Sequence, residues 1–281
     1  MKTLALAPWL LSVLSVVVFT ENGAAQSSYD LRSPDGRIEI RIRTAGQIRY
    51  DVVLKGRAVL EDCTLSLAVE HKKLGAQPKL VEAKERSYDQ VVEPVVRQKF
   101  AKIRDHYNEL KLTMEGGYAV VFRAYNEGAA YRFETSMGQA QVKIYGEESA
   151  FNFSANNIVY YPQEDGFFSH NERKYLPQHL SEIAPAFLAT LPAVVDVGEG
   201  AKVAIAESDL ESYPGLWLAR NLEIDLSFLP EGNFTMEAYQ DGVNADRYAS
   251  DYKKTTMQVN RTTKLKLPLA SGGGWAARIH Q

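Results

Sequence analysis

Arg37-Ile38-Glu39-Ile40-Arg41-Ile42-Arg43-Thr44-Ala45-Gly46-Gln47-Ile48-Arg49-Tyr50-Asp51-Val52-Val53-Leu54 is the stretch that decides the fold class. Ile38, Ile40 and Ile42 alternate with Glu39, Arg41 and Arg43, and after Ala45-Gly46 the run Ile48, Tyr50, Val52, Leu54 does the same. A period of two buries one face of a strand and wets the other, so this stretch reads as two strands joined by a short connection. The same alternation returns in Leu65, Leu67, Val69 and in Leu110, Leu112, Met114. Between the runs stand Pro34-Asp35-Gly36, Lys55-Gly56, Glu115-Gly116-Gly117, Asn126-Glu127-Gly128, Glu231-Gly232-Asn233 and Asp241-Gly242. These residues supply the left-handed or fixed backbone angles that turns require. Many short strands punctuated in this way predict an all-β, antiparallel sandwich or barrel.

Two stretches depart from that rhythm. Asn244 is placed to cap a short helix over Ala245 to Lys254, with Tyr248 and Tyr252 four apart on one face. Tyr160 to Pro185 mixes aromatics, prolines and polar residues and reads as a long ordered loop. Cys63, the single cysteine, falls in an apolar strand pattern and is expected in the core, with no intrachain disulfide available.

The first residues read as an export signal: Lys2, then an apolar run from Leu4 to Phe19, then Gly23-Ala24-Ala25. The run is short for a membrane span and Pro8 interrupts it, so residues 1–25 are expected to be removed and the mature protein to be periplasmic or extracellular, not held in a membrane. Losing Lys2 and Glu21 leaves the net charge at -3. That balance gives no footprint for nucleic acid.

Chemistry-bearing residues are sparse. The acidic turn Glu207-Ser208-Asp209-Leu210-Glu211-Ser212-Tyr213-Pro214-Gly215 follows the apolar run Val203 to Ala206 and places Glu207 at a strand end. A carboxylate there suits a hard cation or a sugar hydroxyl, although most such clusters are solvated turns. The loop residues His170, Glu172, Arg173, Tyr175 and His179 combine an aromatic face with charged groups, as a sugar pocket does, or form a surface loop held by its own contacts. Trp217, just past the acidic turn, is more simply a packing residue.

Taken together, several short pieces resemble the N-terminal domain of glycoside hydrolase family 97, whose members include secreted bacterial α-glucosidases and α-galactosidases. They are Ser33-Pro34-Asp35-Gly36, Tyr131-Arg132-Phe133, Glu207-Ser208-Asp209-Leu210 with Tyr213-Pro214-Gly215, and Asp241-Gly242-Val243-Asn244-Ala245-Asp246-Arg247 with Asp251-Tyr252; Gly272-Gly273-Gly274-Trp275-Ala276 closes the series. The resemblance implies an antiparallel β-super-sandwich like that of galactose mutarotase over 26–270, and a linker over 271–281 toward a (β/α)8 catalytic barrel. It implies that the catalytic carboxylates lie on that barrel, joined in cis or in trans, so no catalytic residue is assigned here. It also implies that Glu207 is lent to a calcium site there, and that carbohydrate is the ligand, with His170, Glu172, Arg173 and Tyr175 as substrate-binding candidates. Two alternatives stay open: a stand-alone secreted carbohydrate-binding protein, and a mutarotase-like epimerase using a histidine such as His170 or His179 with a glutamate.

Overall fold

The structure is a computed structural model that describes residues 27–70, 72–138, 141–166, 169–170, 172–184, 188–208, 215–220, 222–241, 252–267 and 275–281. The chain divides into two compact units, one of residues 1–56 and 62–150, the other of 57–61 and 151–281.

The first unit carries β1 (Ser28–Arg32), β2 (Ile38–Arg43), β3 (Ile48–Leu54), most of β4 (Arg57–Val69), β5 (Lys72–Leu74), β6 (Leu80–Val92), β7 (Ile103–Met114), β8 (Tyr118–Tyr125), β9 (Ala129–Thr135) and β10 (Ile144–Ser149). One sheet runs β1-β2-β3-β4-β10, with β5 also on β4; the other runs β6-β7-β8-β9. The pairings β1–β2, β2–β3, β4–β5, β4–β10, β6–β7, β7–β8 and β8–β9 are all antiparallel. The alternating residues face inward as expected: Ile40, Ile42, Ile48, Leu65, Leu110 and Leu112 are essentially inaccessible. Tyr50 of β3, Phe122 of β8 and Tyr131 of β9 meet with centroids 6.2–6.4 Å apart, which places this core between the two sheets. Each such buried apolar side chain contributes about 1.5–3 kcal/mol. Cys63 is buried and forms no disulfide.

One detail of the opening stretch differs. Val52 and Leu54 pair with Ile40 and Ile38 and so share the inward face, yet both are only half-buried; Val53, opposite Glu39 on the other face, is the buried one. Alternation identified the faces, but at this end of β3 both are partly covered.

The second unit holds β11 (Ile158–Glu164), β12 (Tyr175–His179), β13 (Leu188–Ala189), β14 (Ala193–Gly198), β15 (Ala201–Ile205), β16 (Leu218–Ala219), β17 (Leu222–Asp225), β18 (Phe234–Asp241), β19 (Tyr252–Val259), β20 (Lys264–Leu267) and β21 (Trp275–His280). Its main sheet runs β15-β14-β11-β13-β16 with β12 on β11; β17 pairs β20, and β18 lies between β19 and β21. Phe234, Met236 and Ala238 of β18 pack with Leu226, Val259 and Leu265, and Trp275, Ala277 and Ile279 of β21 close over them.

Three sequence expectations are corrected here. The 160–185 stretch is not one loop, because it contains the end of β11 and all of β12. Pro162 falls between the residues that pair with β14, ending at Tyr160, and those that pair with β13, starting at Gln163, so its missing N–H interrupts neither ladder. The helix proposed to reach Lys254 gives way over Tyr252 to Lys254 to β19, where β-branched Thr255, Thr256 and Val259 follow and Lys254 bonds Glu237 across the ladder at 2.7 Å. Its other residues, with Asn244 and Tyr248, lie outside the described ones. The 271–281 segment, read as linker, is strand over Trp275–His280, because Trp275, Ala277 and Ile279 alternate onto the β18 core. The export segment 1–25 also lies outside the described residues. Among the described residues a single 3-10 turn, Leu180–Glu182, is helical, and no helix is long and apolar enough to cross a membrane.

Candidate functional site

Glu207 lies two residues beyond β15 and is exposed. The backbone amide of Leu216 donates to its Oε1 at 2.6 Å, and a Cβ on Gly215 would stand 3.3 Å from that same oxygen. A side chain at 215 would require that carboxylate to shift by a few tenths of an ångström. Oε1 is tied to the backbone, and among the described residues no hydrogen bond to Oε2 is seen. The remaining acidic residues of that turn, Asp209 and Glu211, lie outside the described residues. Among the described residues no three carboxylate, histidine or cysteine side chains come together as a metal cage. Calcium takes six to eight oxygens, roughly, so Glu207 fits as one ligand of a site completed by other groups, not as a site in itself.

The second candidate surrounds the turn from β11 to β12. Glu164, the last residue of β11, is buried to 0 % side-chain exposure, and Arg173 Nε donates to its Oε2 at 2.9 Å. The Ser169 hydroxyl first, then the Arg173 guanidinium, hold the Glu164 carboxyl below the ordinary glutamate range against the opposing effect of burial. Its Oε1 is buried with no hydrogen-bond partner among the described residues. His170 Nδ1 accepts from the Glu172 amide at 3.1 Å, and the Tyr175 hydroxyl donates to the Pro192 carbonyl at 3.0 Å. His170, Glu172, Arg173 and Tyr175 are all exposed, so the four candidates share one connection and its following strand.

His179 does not join them. It pairs with Ile158 at the far end of β12, four residues from Tyr175, which is about 13 Å of extended chain. Its Nδ1 lies 3.0 Å from the Asn156 carbonyl, and its amide is bonded to Glu182 Oε2 at 3.0 Å. A cleft of about 400 Å³ in the first unit, lined by Asp30, Arg32, Arg86 and Asn108, involves none of these candidates.

A model of the glycosyl-hydrolase 97 N-terminal family matches residues 31–268. The chain belongs to that family. Over 217 residues it is 34% identical to a retaining alpha-galactosidase of Bacteroides thetaiotaomicron, a match covering 74% of this chain and 32% of that protein. Among solved structures it is similar to a glycoside hydrolase family 97 enzyme from Pseudoalteromonas sp. strain K8 in complex with panose, with a TM-score of 0.61 and 17% identity over 90% of this chain and 35% of that one. A beta-arabinopyranosidase gives a TM-score of 0.59 at 17% identity, covering 90% and 40%. These likenesses show the fold. The chain thus spans about a third of the length of the relatives it matches.

Within the family 97 module, sequence reading missed Glu164 and Glu109. Glu109 of β7 is fully buried and accepts from Arg86 Nε at 2.6 Å and Arg123 Nε at 2.7 Å. The available signal was a carboxylate at the outward position of a strand flanked by apolar runs; its partners lie 23 and 14 residues away and become visible only with the register.

Proposed function

We propose that this chain is the non-catalytic N-terminal module of a glycoside hydrolase acting on α-glucosides or α-galactosides. It shapes the mouth of an active site whose catalytic carboxylates belong to a barrel joined in cis or in trans, and it lends Glu207 to a calcium ion there. The observation that carries this is the state of Glu207: exposed past a strand end and fixed through Oε1 by the Leu216 amide, with no bond to Oε2 among the described residues. Family membership and the relatives' greater length support it. A bound calcium supplies a fixed positive charge that orients the carboxylates around it. This chain's own part is to hold one carboxylate in place and, through Arg173 and Tyr175, to offer donors and an aromatic face to sugar. The leader-like residues 1–25 support a periplasmic or extracellular location.

The test is calcium titration of the complete two-part enzyme with Glu207 and with Glu207→Gln. The variant is expected to bind calcium more weakly, since it loses a negative charge and keeps the shape; equal affinity removes Glu207 from the site. Calorimetry of this chain alone with a maltooligosaccharide is expected to show weak binding or none. Micromolar affinity would replace the module reading with that of a stand-alone carbohydrate-binding protein.

A further inference from the structure

The sheet β6-β7-β8-β9 does not end squarely. The pairing of β7 with β8 begins at Tyr107↔Tyr125, whereas β6 and β7 continue past it through Asp89↔His106, Gln90↔Asp105, Val91↔Arg104 and Val92↔Ile103. These rungs and the connection between them, residues 89–106, form a two-stranded arm that leaves the sheet. Of the large apolar side chains exposed among the described residues, six crowd into this arm: Val91 (59%), Val92 (42%), Val95 (102%), Val96 (69%), Phe100 (64%) and Ile103 (45%). A concentration of exposed apolar residues is a mark of an interaction surface.

The base of the arm is stiff. Tyr88, Tyr107 and Tyr125 stand in a row across three strands, with centroids 4.9 Å apart at each step. Arg86 lies 4.6 Å over Tyr88 and Arg123 4.4 Å over Tyr107, and both arginines are locked onto the buried Glu109. The ring faces are occupied by one another and by guanidinium groups, so this row is a brace and not a platform for sugar. One rung up, Arg104 grips Asp89 through two bonds of 2.7 and 2.8 Å. An isolated hairpin is marginal in water, and bracing its root fixes the apolar tip in one place before binding.

Charge narrows the partner. Four cations in the arm (Arg97, Lys99, Lys102, Arg104) face three carboxylates (Asp89, Glu93, Asp105), and Glu93 takes both Arg97 and Lys102. An arm of net charge +1 with an apolar tip fits a protein surface better than a polyanion or an anionic bilayer. The relatives this chain matches carry about twice as much polypeptide again beyond the matched third.

We infer that the arm 89–106 is a docking element that packs its apolar tip against the part of the family polypeptide lying outside this module. The inference rests on the module reading above. The test is hydrogen exchange, followed by mass spectrometry, on the full chain alone and on the full chain joined to the part of the Bacteroides thetaiotaomicron relative outside its matched third. Amides of residues 91–104 are expected to exchange about tenfold slower or more in the joined protein. A joined Val95→Ser/Val96→Ser/Phe100→Ser variant is expected to lose that slowing; all three side chains are exposed, so the chain alone keeps its wild-type circular dichroism. Slowing elsewhere with an unchanged arm overturns this inference and leaves the module reading standing; no slowing anywhere overturns both. Dimerisation of the chain alone that the triple variant abolishes would assign the arm to a second copy and overturn the inference as well.

Discussion

Replacing Glu109 by glutamine tests whether the brace under the arm is held by charge. Glu109 is fully buried and receives one guanidinium bond on each oxygen, from Arg86 and Arg123. A hydrogen bond to a charged group contributes about 1.5–3 kcal/mol. Arg86 and Arg123 keep 45% and 28% of their side-chain exposure, so water replaces part of what each loses. Glutamine still accepts from one arginine but turns an NH2 toward the other. The expected loss is therefore about 2–3 kcal/mol, below the roughly 3–5 kcal/mol of breaking a wholly buried pair. With a urea slope of about 1–3 kcal/mol per molar, the midpoint of the first unit falls by about 1 M or more. Tyrosine near-ultraviolet dichroism, which reports the Tyr88–Tyr107–Tyr125 row, follows that unit. The two units are fitted as separate transitions. The pH dependence carries a sign. Burial pushes the Glu109 carboxyl up, and the bonds from Arg86 and Arg123 outweigh it, so its folded value is depressed. A depressed carboxylate gives its full stabilisation above the ordinary glutamate value of about 4.3 and loses it as pH falls through the folded value. The gap between wild type and Glu109→Gln is thus full at about pH 7 and closes in acid. A loss under about 0.5 kcal/mol at neutral pH, or a gap unchanged by acidification, would refute the charge-held brace.

Other outcomes follow from local geometry. Gly75 sits at φ +85, where an added Cβ would stand 2.5 Å from the Leu65 carbonyl oxygen. Gly75→Ala is expected to cost about 2 kcal/mol or more in denaturant titration, against about 1 kcal/mol for Gly56→Ala, which has a similar φ and open space around it; equal costs would remove the clash from the account. The Arg37 amide, then the Ser33 hydroxyl and the Arg37 guanidinium, hold the Asp35 carboxyl down to about 2. Its contribution to the turn is complete above the ordinary aspartate value of about 3.9 and fades as pH falls toward that lowered value; an ordinary midpoint in a carboxyl NMR titration would dissolve the turn network. Arg173→Ala is expected to move the Glu164 carboxyl upward in the same measurement, and an unmoved signal would detach the pair.

Fold class was legible because alternation states directly which side of a strand meets water. Ile40, Leu65 and Leu112 are inaccessible where the period places them inside. The misreadings arise where another signal covers the period. Prolines hid β11 and β12, although Val159 and Tyr161 alternate inward as any half-buried strand does. The glycines before Trp275 drew attention away from Trp275, Ala277 and Ile279, which carry the same alternation. At the candidate site, residue type was readable but partnership was not. Arg173 looked like a ligand-binding cation, and the buried Glu164, nine residues earlier across the turn from β11, holds it.

The reading of this chain as a module rests on contacts that its own residues leave unfinished. Glu207 is fixed by a backbone amide through Oε1, and among the described residues nothing bonds its other oxygen. The arm repeats the pattern in the first unit. Three tyrosines in a row and a buried ion-paired glutamate order the root of the arm beneath a tip whose valines and phenylalanine are exposed. Rigid support under unsatisfied groups lowers the ordering cost of a later association, because the rotamers and backbone are already fixed. Here Glu207 and the apolar tip are exposed and neither lines the cleft of the first unit, although Arg86 and Glu109 of the brace do. Order spent on protruding groups is what a domain built to be completed by more polypeptide requires.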